Sequence, residues 1–423
     1  MLILILFMYI FSFSIPIEAP IHISSARVVY LLVLPSFLLN RKWQSNSLKV
    51  IKNKKIVTII ILLIFIISYT LFVPIFYKTY DYSMLSPFIN QMIALIFGII
   101  IFSLFKLKRK VNDIPKYLIY IFIIQALIQF FSFVSPEIRN FLNLFRVEDK
   151  ILIAERYNYI RGLAISGGQF FGLAVGFGLI FIIYSYFWYD VFKKASVLKY
   201  LSLIFLFFGA MSAARSSLVG VGISIFYFVI NKIKNMELKF NRRLKINIIN
   251  IVLIIILIFT ILLTIYLIDF DFIIDKIQRM SKFAFEFIYN FINKGELSTS
   301  STDILFNRMY FKVDLKTFFI GDGLYTNPDG SYYMHTDAGY MRNILYFGIV
   351  GFIILLIYQL QFFVWRKKKF FLFNVLVMFY ILVLHIKGYT LSFNIMMQKI
   401  LFLLLLYNIY ITSKRSVRTK YSL

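Results

Sequence analysis

Long apolar runs alternate with short polar segments along almost the whole chain. The clearest runs are Ile56–Phe76, Phe88–Phe105, Tyr117–Val134, Phe170–Trp188, Ile248–Ile268, Ile344–Val364 and Ile395–Ile411, each about twenty residues and nearly free of charge. At 1.5 Å per helical residue such a run matches the hydrocarbon core of a bilayer, about 30 Å thick. The pattern predicts an all-α, polytopic integral membrane protein. A further apolar run between Lys199 and Asn231 has basic residues on both flanks, so it crosses twice and turns near Ala213–Ser216. Met1–Ile17 and Ile23–Asn40 form an opening hairpin, and a last hairpin turns near His385–Asn394. Met1–Ile17 lacks a basic start and a small-residue cleavage site, which makes it a retained span rather than a signal peptide. About twelve spans follow, in a single transmembrane domain of residues 1–423.

Composition agrees: 61% apolar residues with 50 Phe excludes a soluble domain of this length. The net charge of +27 is distributed by topology. Basic residues number six in Arg41–Lys55, five in Lys106–Lys116, three in Lys193–Lys199, six in Lys232–Lys245, four in Arg366–Lys369 and four in Lys414–Lys420. Sixteen of the nineteen acids fall in the alternate gaps. Lys and Arg flanking spans are retained in the cytoplasm, so both termini are expected there. The charge therefore argues topology and gives no support to nucleic-acid binding. No cysteine is present, so the external loops fold without disulfides.

Two long segments remain on the opposite face, about 135–169 and 269–343. In the first, Ser135-Pro136-Glu137 is a helix start, with a capping hydroxyl, a proline in the first turn and an acid at the positive dipole end. Ile138, Phe141, Leu142 and Phe145 follow at helical spacing. The segment closes with Tyr157-Asn158-Tyr159-Ile160-Arg161-Gly162. In the second, an apolar-rich helical stretch over Phe272–Ile292 is followed by a polar break. A further helix is expected, in which Arg308, Lys312 and Lys316 repeat every four residues and share a face. Gly321-Asp322-Gly323 and Pro328-Asp329-Gly330 are turn signals. Thr336 is expected to cap a helix running into the span from Ile344, which would put His335 at that helix's N-terminus, where free N–H groups favour anions.

Three stretches carry a resemblance: Arg161-Gly162 before a glycine-rich span; Ser212-Ala213-Ala214-Arg215-Ser216-Ser217 at a hairpin turn; and Arg308 through Gly321-Asp322-Gly323 to His335 and Gly348-Ile349-Val350-Gly351. Ile15-Pro16 and Ser25-Ala26-Arg27-Val28-Val29-Tyr30 add to it. In their order and loop placement they resemble the O-antigen polymerase (Wzy-type) and ligase superfamily of bacterial envelope glycosyltransferases. The resemblance implies a GT-C-like bundle in the bacterial inner membrane, acting on undecaprenyl-diphosphate-linked oligosaccharide at the external face. A polymerase would move the growing chain onto a single lipid-linked repeat unit. A partner protein that regulates chain length is implied as well. The diphosphate would be held by Arg161, Arg215, Arg308 and Arg342, and the catalytic set would be His335, Asp337 and Arg215. Ligase-like members have His-Asn where this chain has His335-Thr336, which favours a polymerase over transfer to lipid A-core.

The residue types suit that chemistry. Arginine offers a permanently charged fork for phosphate oxygens, and donors placed in advance stabilise a leaving diphosphate without a metal. His335 or Asp337 could accept the proton of the attacking hydroxyl. Each residue also has a plainer reading. Arg215, with no acid near it in sequence, and Arg342 fit interfacial anchors. Arg161 fits an ordinary loop arginine, and Arg308 a solvated basic face. His335 fits loop packing and Asp337 a first-turn helix acid. Asp269, Asp271 and Asp275 form a carboxylate cluster of the kind hard cations use. Related chemistry places such acids in the first external loop, where only Glu18 stands, so a solvated span end is preferred and no metal or cofactor is expected. Gly168, Gly172 and Gly176 are read as a helix-packing stripe, and Gln125 and Gln129 as facing the bundle interior. A lipid-linked oligosaccharide flippase is the rival from another class. Transporters carry charged or broken helices at the midplane, whereas here Lys199 and Lys399 lie near span ends or snorkel, and polar complexity collects outside.

Overall fold

A computed structural model of the chain describes residues 1–18, 21–188, 191, 196–236, 278–280, 282–283, 285–295, 299–365 and 367–420. Among them, six helices are long and apolar enough to cross a membrane: Lys54–Phe76, Leu85–Leu107, Val111–Val134, Gly339–Leu360, Phe370–Lys387 and Ile395–Lys414. Shorter apolar helices occupy Leu2–Phe11, Ser25–Leu39, Phe171–Tyr186, Val197–Ala213 and Ser217–Ile230. The expected span Ile248–Ile268 and the acids Asp269, Asp271 and Asp275 lie outside the described residues. The protein is a helical membrane protein.

The opening hairpin departs from an all-α plan. Strands Ser14–Glu18 and Ile21–Ser24 pair antiparallel, with Ser14 opposite Ser24. Pro16 cannot donate within a helix, and the β-branched isoleucines around it favour extended backbone. The flanking helices, Leu2–Phe11 and Ser25–Leu39, are accordingly shorter than the predicted spans.

The chain divides into two compact units, one of Met1–Ile5, Ala26–Pro115 and Ser300–Leu423, the other of Leu6–Ser25 and Lys116–Thr299. In the second unit, helices Phe171–Tyr186 and Ser217–Met236 meet at glycine. A Cβ on Gly220 would collide with the backbone of Gly178, so the two helices pack as they do across small-residue interfaces. This corrects the predicted stripe: Gly168 precedes the helix, which starts at Phe171. The turn between Ser196–Ala213 and Ser217–Met236 falls at 214–216, where the basic flanks require it. Gln125 and Gln129 are fully buried, as their spacing suggests. Pro136–Asn143 begins as its sequence dictates, with the Ile138 N–H donating to the Ser135 hydroxyl at 3.2 Å.

In the first unit the predicted helix carrying Arg308, Lys312 and Lys316 does not form. Ser300–Ile304 runs into a π-helical turn, Leu305–Met309, the backbone turns extended at Tyr310, and a separate helix spans Leu315–Ile320. Asp314 caps that helix, accepting from the Thr317 N–H at 3.0 Å; the cap restarts the helix and takes Arg308 out of register with Lys316. The Gly321-Asp322-Gly323 turn then docks on Gly339–Leu360. That helix kinks at Gly348 (φ 64°), and the Asp322 N–H donates to the Leu345 carbonyl at 2.6 Å. A Cβ on Gly348 would overlap the Phe319 carbonyl oxygen, and one on Gly321 would lie 2.5 Å from that of Tyr346. Two motifs widely separated in sequence thus make one joint. Lys399 does not snorkel: it is 3% exposed within Ile395–Lys420.

Candidate functional site

In the second unit, Arg161 and Arg215 come together. Arg161 leaves a tight turn in which Asn158 and Tyr159 take left-handed backbone (φ 47° and 54°). Gly162 follows with φ +76°, where a Cβ would stand 2.7 Å from that of Ala154, so only glycine fits. The Arg161 Nε donates to the Ala213 carbonyl at 3.2 Å, at the end of Ser196–Ala213. Its guanidinium lies 4.8 Å from the Tyr157 ring centre, 5.1 Å from Phe170 and 5.0 Å from Phe283. Arg215, in the 214–216 break, covers the same Phe283 ring at 4.7 Å. Burial pushes the Arg161 guanidinium below its ordinary range; Tyr157 opposes this and the Arg215 charge adds to it. The group remains a cation at neutral pH.

Sequence reasoning missed Glu286. Its carboxylate pairs with Arg215 Nη1 from 71 residues away, both side chains being partly buried. Local sequence leaves Arg215 without an acid, and the fold supplies one from Glu286–Lys294. An isolated Glu in the amphipathic sequence Glu-Phe-Ile-Tyr-Asn-Phe-Ile-Asn-Lys was the available signal. Arg161, Arg215 and Glu286 thus meet beside an aromatic wall.

Arg146 was also missed. It is 4% exposed and donates through Nε to the Ala164 carbonyl at 3.0 Å and through Nη1 to Asn143 Oδ1 at 2.7 Å. Nη2 reaches the Ser132 hydroxyl at 3.3 Å and also the Leu163 carbonyl. This clasp holds the backbone immediately after Arg161-Gly162. Burial, with a contribution from Arg139, lowers its pKa to about 10, so it stays charged at neutral pH.

The first unit holds His335, Asp337 and Arg342. Met334 and His335 both take positive φ (54° and 52°) in a short turn, and the His335 side chain is exposed. Thr336 is not the expected cap: Gly339–Leu360 follows Ala338, while the Thr336 hydroxyl donates to the Met309 carbonyl at 2.9 Å and accepts from the Ala338 N–H at 3.3 Å. His335 therefore stands further from the helix start than its sequence position implies. Desolvation raises the Asp337 carboxyl above its ordinary range, although the residue reaches the surface; the Arg342 and Lys387 charges oppose the rise. Arg342 is not the solvent-reaching anchor suggested by its position. It is 6% exposed, its guanidinium stacked 3.6 Å from the Tyr325 ring centre and 3.7 Å from Tyr332. Asp81 fixes this loop, accepting from the Tyr325 and Thr326 N–H groups at 2.6 and 2.8 Å. Burial disfavours its charge, but these bonds and those from Ser83 hold its carboxyl below the usual range. Arg308 is exposed on the π-helical turn.

His385 is structural. Fully buried, its Nδ1 accepts from the Thr390 and Leu391 N–H groups, each at 3.2 Å, and its Nε2 lies 2.7 Å from the Asn343 side-chain nitrogen. It locks the last turn. Among the described residues no group of three or more His, Cys, Asp or Glu is placed to hold a metal ion. No family model matches the chain, and no curated protein or solved structure matches it.

Proposed function

We propose that the protein is a membrane glycosyltransferase that polymerises undecaprenyl-diphosphate-linked oligosaccharide repeat units into O-antigen or a related surface polysaccharide. The observation that carries this reading is the convergence of Arg161 and Arg215, from separate loops, on one aromatic wall around Phe283. Two forked cations suit the oxygens of a leaving diphosphate. In the proposed step, a hydroxyl of the acceptor repeat unit attacks the anomeric carbon of the lipid-linked chain. The new C–O bond forms as the bond to the diphosphate breaks. The hydroxyl proton passes to a general base, and undecaprenyl diphosphate leaves with the electron pair. A carboxyl raised by desolvation is a stronger base once ionised, which makes Asp337 the residue of the first unit to test in that role. With this function go about twelve crossings of the bacterial inner membrane in a GT-C-like arrangement, both termini cytoplasmic, and a chain-length-regulating partner.

The test is purified protein with a defined lipid-linked repeat unit, products resolved on a gel. A ladder is expected. Arg161→Ala and Arg215→Ala should each abolish it while protein levels persist, and the Lys variants should recover less than about a tenth of the activity, because the fork is lost. Transport of labelled lipid-linked sugar in vesicles without lengthening would overturn the reading in favour of a flippase. Transfer only to lipid A-core would make the protein a ligase.

A further inference from the structure

Arg342 is costly where it stands. It occupies the first turn of Gly339–Leu360, where the helix dipole opposes a cation, and it is 6% exposed. Its Nε and Nη2 are buried without a hydrogen-bond partner among the described residues. These two atoms share one edge of the guanidinium, the edge that binds both oxygens of a carboxylate or two of a phosphate side by side. The faces are already taken by Tyr325 and Tyr332. The hydroxyl of Tyr389, a ring 5.9 Å from the guanidinium, is likewise buried without a partner among those residues. The orphaned donors therefore belong to the same cluster and call for acceptor oxygens. An unpaired buried donor costs about 1–3 kcal/mol, more when charged, so the cluster is a poor way to stabilise a loop.

One of the two covering rings reaches the surface. Tyr325 is 8% exposed and tied down through Asp81, whereas Tyr332 is 47% exposed at the end of the Thr326–Tyr332 bridge. We propose that the Nε/Nη2 edge of Arg342 receives an oxyanion borne on a saccharide, admitted when Tyr332 swings off the guanidinium. A sugar presents C–H faces and hydroxyl edges together, which tyrosine rings and hydroxyls match; a bare ion would use only the edge. The site does not depend on the polymerase reading, and its test requires no turnover.

The experiment is calorimetric titration of the full-length protein in nanodiscs with a glucuronate-containing oligosaccharide, its neutral glucose counterpart, acetate and inorganic phosphate. Saturable binding of the acidic sugar is expected, with the neutral sugar at least about tenfold weaker, because it cannot accept the charge-assisted hydrogen bonds of that edge. Arg342→Gln should lose about tenfold or more. Tyr332→Ala, at an exposed position, should associate faster in stopped-flow. Equal binding of acidic and neutral sugars, or an unchanged Arg342→Gln, would overturn the site. Acetate or phosphate binding as tightly as the acidic sugar would overturn the saccharide assignment, and unchanged association in Tyr332→Ala would overturn the gating ring.

Discussion

Arg146 and Asp337 illustrate how single side chains set the behaviour of the two clusters. Arg146 satisfies two backbone carbonyls and two side chains next to Arg161. Arg146→Ala should destabilise the second unit by about 2–4 kcal/mol, the cost of leaving buried acceptors unpaired, seen as a lower unfolding temperature in detergent. Arg146→Lys should rescue little, because one ammonium cannot span that arc of acceptors. Asp337 has a raised carboxyl, so it accepts its proton at a higher pH than an ordinary aspartate. If it is the base, the rate should fall as pH drops through that raised value. The acid limb of kcat/KM should lie above the ordinary carboxylate range and vanish in Asp337→Asn. A limb that persists in the residual rate of Asp337→Asn belongs to another group, and His335→Gln is the next variant to profile.

At the scale of elements, glycines make the joints that matter. Gly348 kinks its helix and receives the Gly321 turn with no room for a Cβ on either side. Gly348→Ala combines positive φ with a clash against backbone, and should destabilise by more than about 2 kcal/mol, measured by thermal unfolding. Gly222, on the same helix as Gly220, is the matched control. A methyl group there would meet nothing within 4 Å among the described residues, and Gly222→Ala should be neutral or slightly stabilising. The turn signals of Gly321-Asp322-Gly323 were legible from sequence. Their docking partner was not, because the kink at Gly348 satisfies the Asp322 N–H from a residue no local pattern links to it. The failed helix through Arg308, Lys312 and Lys316 has a similar cause. Charge periodicity supports it, but the Asp314 cap stops and restarts the backbone.

For the whole molecule, the absence of cysteine from the sequence makes topology directly testable. Single cysteines at Ser331 and Asn143 should react with a membrane-impermeant reagent in intact cells, and one at Lys108 only after the inner membrane is breached. The reverse pattern would remove the external placement on which the proposed chemistry stands.

The positions of the six long apolar helices and the cap at Ser135 could be read without a structure, because hydrophobic thickness and capping each act over a few neighbouring residues. The pairing of Arg215 with Glu286, the clasp of Arg146 and the tyrosine stack on Arg342 were decided only by tertiary structure. Each joins groups from separate segments, and whether a buried cation finds a partner depends on which distant chain the fold brings beside it.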